Sequence, residues 1–249
     1  MNWFFDIYNN IILWFQAWFD KLYNTFIVSD RWLTLVEGLY ATVIITLGAL
    51  AIGVVIGTVV AIIKVFAADG KRTTFSDKVL FVLDKLCNVY ITVIRGIPVV
   101  VQLLISFFII FSFAKDGLWV ATITFGINSG AYVAETIRSG IMAIDGGQME
   151  AGRSLGFSKL QTMWLIILPQ AIKNILPAIG NEMIALLKET SVAGYVAVVD
   201  ITKAGNQIKN TTYDQVNPIL LVALVYLALV MFLTTIVGRL ERRLRKNER

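Results

Sequence analysis

Histidine is absent from this 249-residue sequence, and cysteine occurs once, as Cys87. The commonest metal ligand is therefore missing, and a single thiol cannot close an intrachain disulfide, so neither metal nor redox chemistry is indicated. Charge is scarce as well, at 16% of residues against 57% hydrophobic, and the mean hydropathy is +0.73. That is more apolar surface than a soluble domain needs to fill its core, and it reads as an integral membrane protein. There is no G-x-x-x-x-G-K-[ST], the loop whose backbone amides cradle nucleotide phosphates, so the chain is not expected to hydrolyse ATP by itself. No basic region precedes the first apolar stretch and no small-residue cleavage pattern follows it, which argues against a signal peptide. The net charge of +5 does not point to nucleic acid. The basic residues flank apolar spans, with no aromatic-rich polar groove around them, and their distribution reads as topology.

What is present is a series of apolar runs. Residues 1–31 mix Trp3, Phe4, Phe5, Trp14, Phe15, Trp18 and Phe19 with Asp6, Asn9, Asn10, Gln16 and Asp20. That composition suits an interfacial helix, with an extra span as the rival. Charge-free runs cover 38–63, 96–114, 117–134 and 215–238, each long enough to cross ~30 Å of hydrocarbon at ~1.5 Å per residue. Gly53 and Gly57 in the first run place two small residues on one face, which we read as a helix-packing contact. Between the first two runs, Val79–Ile94 is interrupted by Asp84, Lys85 and Asn88 and reads as an amphipathic segment on the cytoplasmic surface. A fourth span must lie between Asn174 and Val199, although it holds Asn181, Glu182, Lys188 and Glu189. Charges there are costly in lipid and must face protein or water. Asp200–Asp214 reads as a polar loop.

The expected fold is thus all-α, with about five transmembrane helices. Sixteen of the 22 Lys and Arg residues fall in 64–95, 138–173 and 239–249. By the positive-inside rule these segments are cytoplasmic, the N-terminus lies outside and the C-terminus inside.

One polar interruption stands apart. In Gln148–Pro169, Gly156 can end one helix in the left-handed conformation, and Ser158 with Gln161 can form the capping box of a second. Leu160, Met163, Trp164, Ile167 and Leu168 then give that second helix one apolar face, and Pro169 predicts a break or kink. A helical hairpin of this kind suits docking into a groove on a soluble partner. Glu150-Ala151-Gly152, then Gly156, then Ile166-x-Leu168-Pro169 resemble the E-A-A-x3-G-x9-I-x-L-P signature of permease subunits of binding-protein-dependent ABC importers. Gly152 departs from the usual Ala, and its ~1 kcal/mol lower helix propensity predicts a less rigid turn.

Three further stretches narrow the resemblance to the polar amino acid branch of those permeases. They are Arg95-Gly96-x-Pro98-x-x-Val101-Gln102-Leu103, Ser129-Gly130-Ala131-Tyr132-x-Ala134-Glu135-x-x-Arg138-x-Gly140, and Asn181-Glu182-x-Ile184-x-Leu186-Leu187-Lys188-Glu189-Thr190-Ser191. The resemblance covers residues 34–243. Beside the interfacial segment read from composition at 1–31, it implies a transmembrane domain at 32–243 with its coupling loop at 145–170, and a basic cytoplasmic tail at 244–249. It also implies one subunit of a multi-pass importer in a bacterial cytoplasmic membrane. The partners would be two ABC ATPase subunits that bind the ATP and Mg, a second permease subunit, identical or paralogous, an extracytoplasmic amino-acid-binding protein and membrane lipid.

No catalytic residue, metal site or cofactor is expected in this chain. Glu150, Ala151, Leu155, Gly156 and Phe157 are the candidates for coupling to the ATPase. A polar stripe of Asn128, Tyr132 and Glu135 or Thr136, together with Gln102, Asn181, Glu182 and Lys188, supplies the candidate substrate pathway near the bilayer midplane. For Glu135 and Arg138, three apart on one helix, a plain ion pair is an equal alternative. An ion-coupled secondary transporter or a channel is the rival function, but no internal repeat supports the first, and a channel has no use for a docking loop.

Overall fold

The computed structural model describes residues 2–67 and 75–245, and every regular element among them is helical. The helices are α1 (Asn2–Phe26), α2 (Arg31–Ala67), α3 (Phe75–Gly96), α4 (Val99–Ile105, extended by a π turn at Ser106–Ile110), α5 (Gly117–Met142), α6 (Gly146–Ser154), α7 (Lys159–Thr162), α8 (Leu168–Glu189), α9 (Ile201–Thr212) and α10 (Asn217–Arg245). Lys71, Arg72 and residues 246–249, part of the basic tally and of the expected tail, lie outside the described residues.

Parallel packing of α2 on α5 forms the centre, and small residues set how close the two come. A Cβ on Gly53 would stand 2.7 Å from Ser129 Oγ, one on Gly57 2.7 Å from Val133, and on the other helix one on Gly126 2.7 Å from Ile52. The paired glycines read from the sequence are therefore a helix contact, the close approach that lets dispersion forces hold helices together in lipid. Ile45, Ala49, Leu103, Ala121, Phe125 and Leu186 fill one end of this core, and Val60, Cys87, Ile91, Ala131 and Ala134 fill the other. Two of the buried hydroxyls bond within their own helices: Thr46 donates to the Thr42 carbonyl and Thr124 to that of Val120, each at 2.8 Å. Backbone-directed bonding of this kind lets polar side chains sit at membrane depth.

Val28–Ala67, Lys159–Val196 and Asn217–Leu244 are each long and apolar enough to cross a membrane, and α3 with α4, bent by 104°, passes as a fourth span. The fifth crossing is α5, whose 26 residues reach ~39 Å at 1.5 Å each. It is less apolar because its neighbours are protein rather than lipid. Where the sequence suggested a straight span at 96–114 preceded by a surface segment, α3 and α4 meet in a 104° bend at Pro98 and together have the length and apolarity of one broken span. The polar residues that interrupt α3 are satisfied internally: Lys64 reaches Asn88 Oδ1 at 2.6 Å and Asp84 at 3.4 Å.

Two further expectations are corrected. Asp200–Asp214 is not a loop but carries α9, whose Ile201, Ala204, Gly205 and Ile208 are buried at i, i+3, i+4 and i+7. Asp200 caps this helix, accepting from the backbone of Thr202 at 2.9 Å and of Lys203 at 3.3 Å. Pro169 does not break the chain, because a π turn at Met163–Ile167 just before it absorbs the irregularity and α8 runs on through Pro177. α9 packs beside the start of α2, where Gly38 abuts the Asp200 carbonyl, and α6 and α7 sit at the opposite end of the bundle.

Candidate functional site

The first site is the hairpin between α5 and α8. Asp145 caps α6 by accepting from Gly147 N at 2.8 Å. At the other end Gly156 has φ +88°. Gly156 N donates to Arg153 O at 3.1 Å and Phe157 N to Gly152 O at 3.2 Å, the paired bonds that close a helix on a left-handed glycine. Ser158 and Gln161 then form the reciprocal capping box anticipated from their spacing. Gly152 has a positive packing role: a Cβ there would fall 2.5 Å from Thr162 Cγ2, so its absence lets α6 lie directly on α7.

This rigid turn leaves its apolar tip in the open. Leu155 is 78% exposed and Phe157 37% exposed. Glu150 and Ala151 are also exposed, so all five residues expected to couple lie on or beside one accessible surface.

The second site is a cavity of about 350 Å³ where α3, α5 and α8 meet, lined by Arg95, Tyr132, Glu135, Thr136, Arg138, Ser139 and Glu182. Its α5 residues occupy the half of that helix nearer the hairpin. Arg95 pairs with Glu135 across forty residues of sequence, and its guanidinium lies 4.9 Å from the centre of the Tyr132 ring. The alternative pairing of Glu135 with Arg138 does not form; Arg138 reaches Met142 Sδ at 3.2 Å instead. Half-buried Glu182 accepts from Ser129 Oγ at 3.1 Å. Two guanidinium groups, two carboxylates, a phenol and two hydroxyls thus line one space. That set can hold a small molecule bearing both charges.

Of the six expected pathway residues, Tyr132 and Glu182 share this cavity. Gln102 and Asn128 are buried together outside its lining, with Asn128 Nδ2 3.3 Å from Gln102 Oε1. The Gln102 amide donates to the Ile94 carbonyl at 2.6 Å and the Ile97 carbonyl at 2.8 Å. These carbonyls are left free where α3 breaks, so Gln102 seals the bend. Asn181 and Lys188 are exposed on α8, away from the Glu182 side. The sequence did not single out Arg95 or Ser129 as site residues. Ser129 stands one turn before Tyr132 and opens the Ser129-Gly130-Ala131-Tyr132 stretch quoted above, whereas the approach of Arg95 depends on the bend.

Comparison with known proteins bears on both sites. Residues 75–246 match the family described as binding-protein-dependent transport system inner membrane component. The arginine transport system permease protein ArtQ of Bacillus subtilis is 36% identical over 217 residues, 86% of this chain and 94% of that protein. The glutamine transport system permease protein GlnP of Escherichia coli is 34% identical over 215 residues, 85% of this chain and 93% of its own length. A crystal structure of an amino acid ABC transporter with histidines superposes with a TM-score of 0.77 at 34% identity, covering 87% of this chain and 96% of that one. An inward-facing methionine ABC transporter superposes at 0.70 with 21% identity, a likeness of fold alone.

Proposed function

The chain belongs to the family of binding-protein-dependent transport system inner membrane components, and from that premise we propose that it is the transmembrane subunit of an ATP-driven importer of polar amino acids. It moves its substrate by alternating access and makes or breaks no bond in it. ATP is hydrolysed in separate subunits. The observation that carries this reading is the ordered α6–α7 hairpin, with an apolar tip that none of the described residues covers. The ion-coupled transporter and the channel give way to the importer, since family and fold both point to it.

In this reading two ATPase subunits receive the hairpins of two permease subunits, one of them this chain, and a binding protein delivers substrate on the α9 side. The hairpin end is cytoplasmic and the start of α2 faces outward. Leu155 and Phe157 seat in the ATPase, Gly156 holds the turn, and Glu150 and Ala151 border the contact. Closing of the ATPase dimer pushes the hairpin. Because α6 follows directly from α5 and α7 runs through the π turn into α8, that push shifts the two helices bearing Tyr132 and Glu182 against each other.

An amino acid entering between them offers an ammonium to Glu182 and a carboxylate to Arg95, which exchanges Glu135 for the substrate at little net electrostatic cost. Asn181 and Lys188, exposed on α8, meet the substrate or the second permease subunit earlier on the path, and Gln102 with Asn128 hold the α4–α5 wall. Coexpression with a tagged ATPase, followed by uptake of a panel of labelled amino acids in the assembled complex, tests the proposal. Recovery of a stable complex with ATP-dependent uptake is the expected result. Uptake without any ATPase, driven by an ion gradient, would overturn it.

A further inference from the structure

The family match begins at residue 75, and α1 plays no part in the transport cycle described above. Its packing is unusual. Residues 10–21 are exposed all round, and among the described side chains of α1 only Thr25, near its end, is buried. That end is fixed with care. Asp214, 2% exposed in the turn between α9 and α10, accepts from Thr25 Oγ1 at 3.1 Å and pairs with Lys21 Nζ at 3.2 Å. The same carboxylate takes the Asn217 amide at 2.6 Å, at the first residue of α10. Arg31 donates to the Asn24 carbonyl at 2.7 Å and the Thr25 carbonyl at 3.3 Å, closing the C-terminal end of α1. The chain then reverses through Ser29 at φ 62° and Asp30 at φ 51°. A helix held firmly at one end and bare along its length needs a surface to lie on.

The residues say which surface. Ile7, Ile11, Trp14, Phe15 and Trp18 recur at i, i+4, i+7, i+8 and i+11, one face of the helix, and each is at least 38% exposed. The Trp14 and Trp18 rings stack 6.5 Å apart on that face. Gln16, Asp20 and Asn24 recur on the opposite side, all three exposed, with exposed Leu13 and Tyr23 beside them. A polar stripe that includes a carboxylate excludes a lipid-surrounded span, whereas an aromatic face with a polar back is the composition of a helix lying in the bilayer interface. The apolar surface also continues into Trp32, Leu33, Val36 and Tyr40, exposed at the start of the span made by α2.

We infer that α1 lies in the outer-leaflet interface with its Trp14–Trp18 face against phospholipid, clamped through Asp214 to the outer end of α10. The clamp makes α1 a fixed arm of the bundle, so that the outer end of α10 is held at the depth of the headgroups. The outward placement rests on the orientation proposed above. Ile11 and Asp20 sit on opposite faces of α1, and Cys87 is buried, so Ile11→Cys and Asp20→Cys can each carry a spin label in the assembled importer in phosphatidylglycerol–phosphatidylethanolamine bilayers.

The expected result is a label at 11 quenched by oxygen at acyl-boundary depth and a label at 20 quenched by a water-soluble nickel chelate. Asp214→Asn should loosen both labels while basal ATPase activity persists. Labels both near the bilayer centre, both in water, or with 11 shielded from both quenchers would overturn the inference, the last by assigning the face to a protein. Unchanged label mobility in Asp214→Asn would overturn the clamp. Labelling of Phe157→Cys from the outside of intact cells would instead refute the orientation, and so separates failure of the transport reading from failure of the arm.

Discussion

α5 and α10 both cross the membrane and could hardly differ more. In α10, 6% of the span-forming window is buried, and its side chains are almost wholly Leu, Val, Ala, Ile, Met and Phe. In α5, 14 of 26 residues are buried, among them Thr124, Asn128, Ser129 and four glycines. For this pair the ordering known from soluble proteins is inverted: the more apolar helix lies outside and the one with more buried polar residues inside. The solvent for α10 is hydrocarbon, which rewards apolar surface directly. α5 has protein on most sides, so its sequence is free to carry small residues for close packing and polar residues for a pathway. A hydropathy profile therefore finds the outward-facing α10 more easily than the buried α5.

The comparison can be sharpened first by adding bulk to each helix. Gly126→Leu drives side-chain atoms into Ile52 and the Ala49 carbonyl and should cost at least about 3 kcal/mol of packing, enough to abolish recovery of folded subunit. Ala228→Leu, on exposed α10, should leave detergent-extracted yield and melting temperature unchanged. Equal losses at both positions would break the distinction.

A smaller but functionally decisive effect is expected at the hairpin that continues from α5. Gly156→Val forces a β-branched residue into φ +88°, at a cost of about 1–2 kcal/mol or more in the turn. ATP hydrolysis should continue while substrate-stimulated uptake falls at least tenfold. Unchanged coupling would refute the docking role.

The smallest effect concerns the outer anchor of α10. Burial pushes the Asp214 carboxyl up, but the bonds from Asn217, Val216 and Lys21 outweigh it and hold its pKa at about 2, below the ordinary 3.8. Lys21, Asp20 and Arg31 are the charged groups around it. A depressed carboxylate stabilises the fold fully above pH 3.8 and loses that contribution as pH falls through about 2. Between pH 4 and 2 the α1–α10 contact should weaken by about 1–2 kcal/mol, seen as rising mobility of a label on α1. Asp214→Asn should flatten that profile. The buried side chains of α5 do not titrate, so its packing should not follow the same curve.

Much of the molecule was legible from local pattern. The hairpin was, because caps, a left-handed glycine and an apolar stripe are encoded within a few residues of one another, and the Gly53–Gly57 contact was readable for the same reason. α9 was missed because its polar residues outnumber Ile201, Ala204, Gly205 and Ile208, although these keep helical spacing behind a capping Asp200. The second crossing was misplaced because the bend at Pro98 lets α3 join the bundle, and the Lys64–Asp84–Asn88 cluster that permits this spans twenty-four residues. Within the cavity, Tyr132 and Glu182 could be read as polar residues on apolar helices. Nothing in the spacing says that Arg95 reaches Glu135, or that the Gln102 amide is taken up by carbonyls of a broken helix.

The central claim is that polarity inside the bundle serves the substrate rather than only the fold, and Glu182→Gln tests it most directly. The change keeps the volume of the side chain and a partner for Ser129 while removing the charge offered to an ammonium. Uptake and basal ATPase rate should be measured together in the assembled complex. The account predicts at least a tenfold loss of uptake, about 1.4 kcal/mol, with the complex intact and basal ATP hydrolysis retained. Unchanged uptake of both cationic and neutral amino acids, or collapse of the complex together with its ATPase activity, would contradict it.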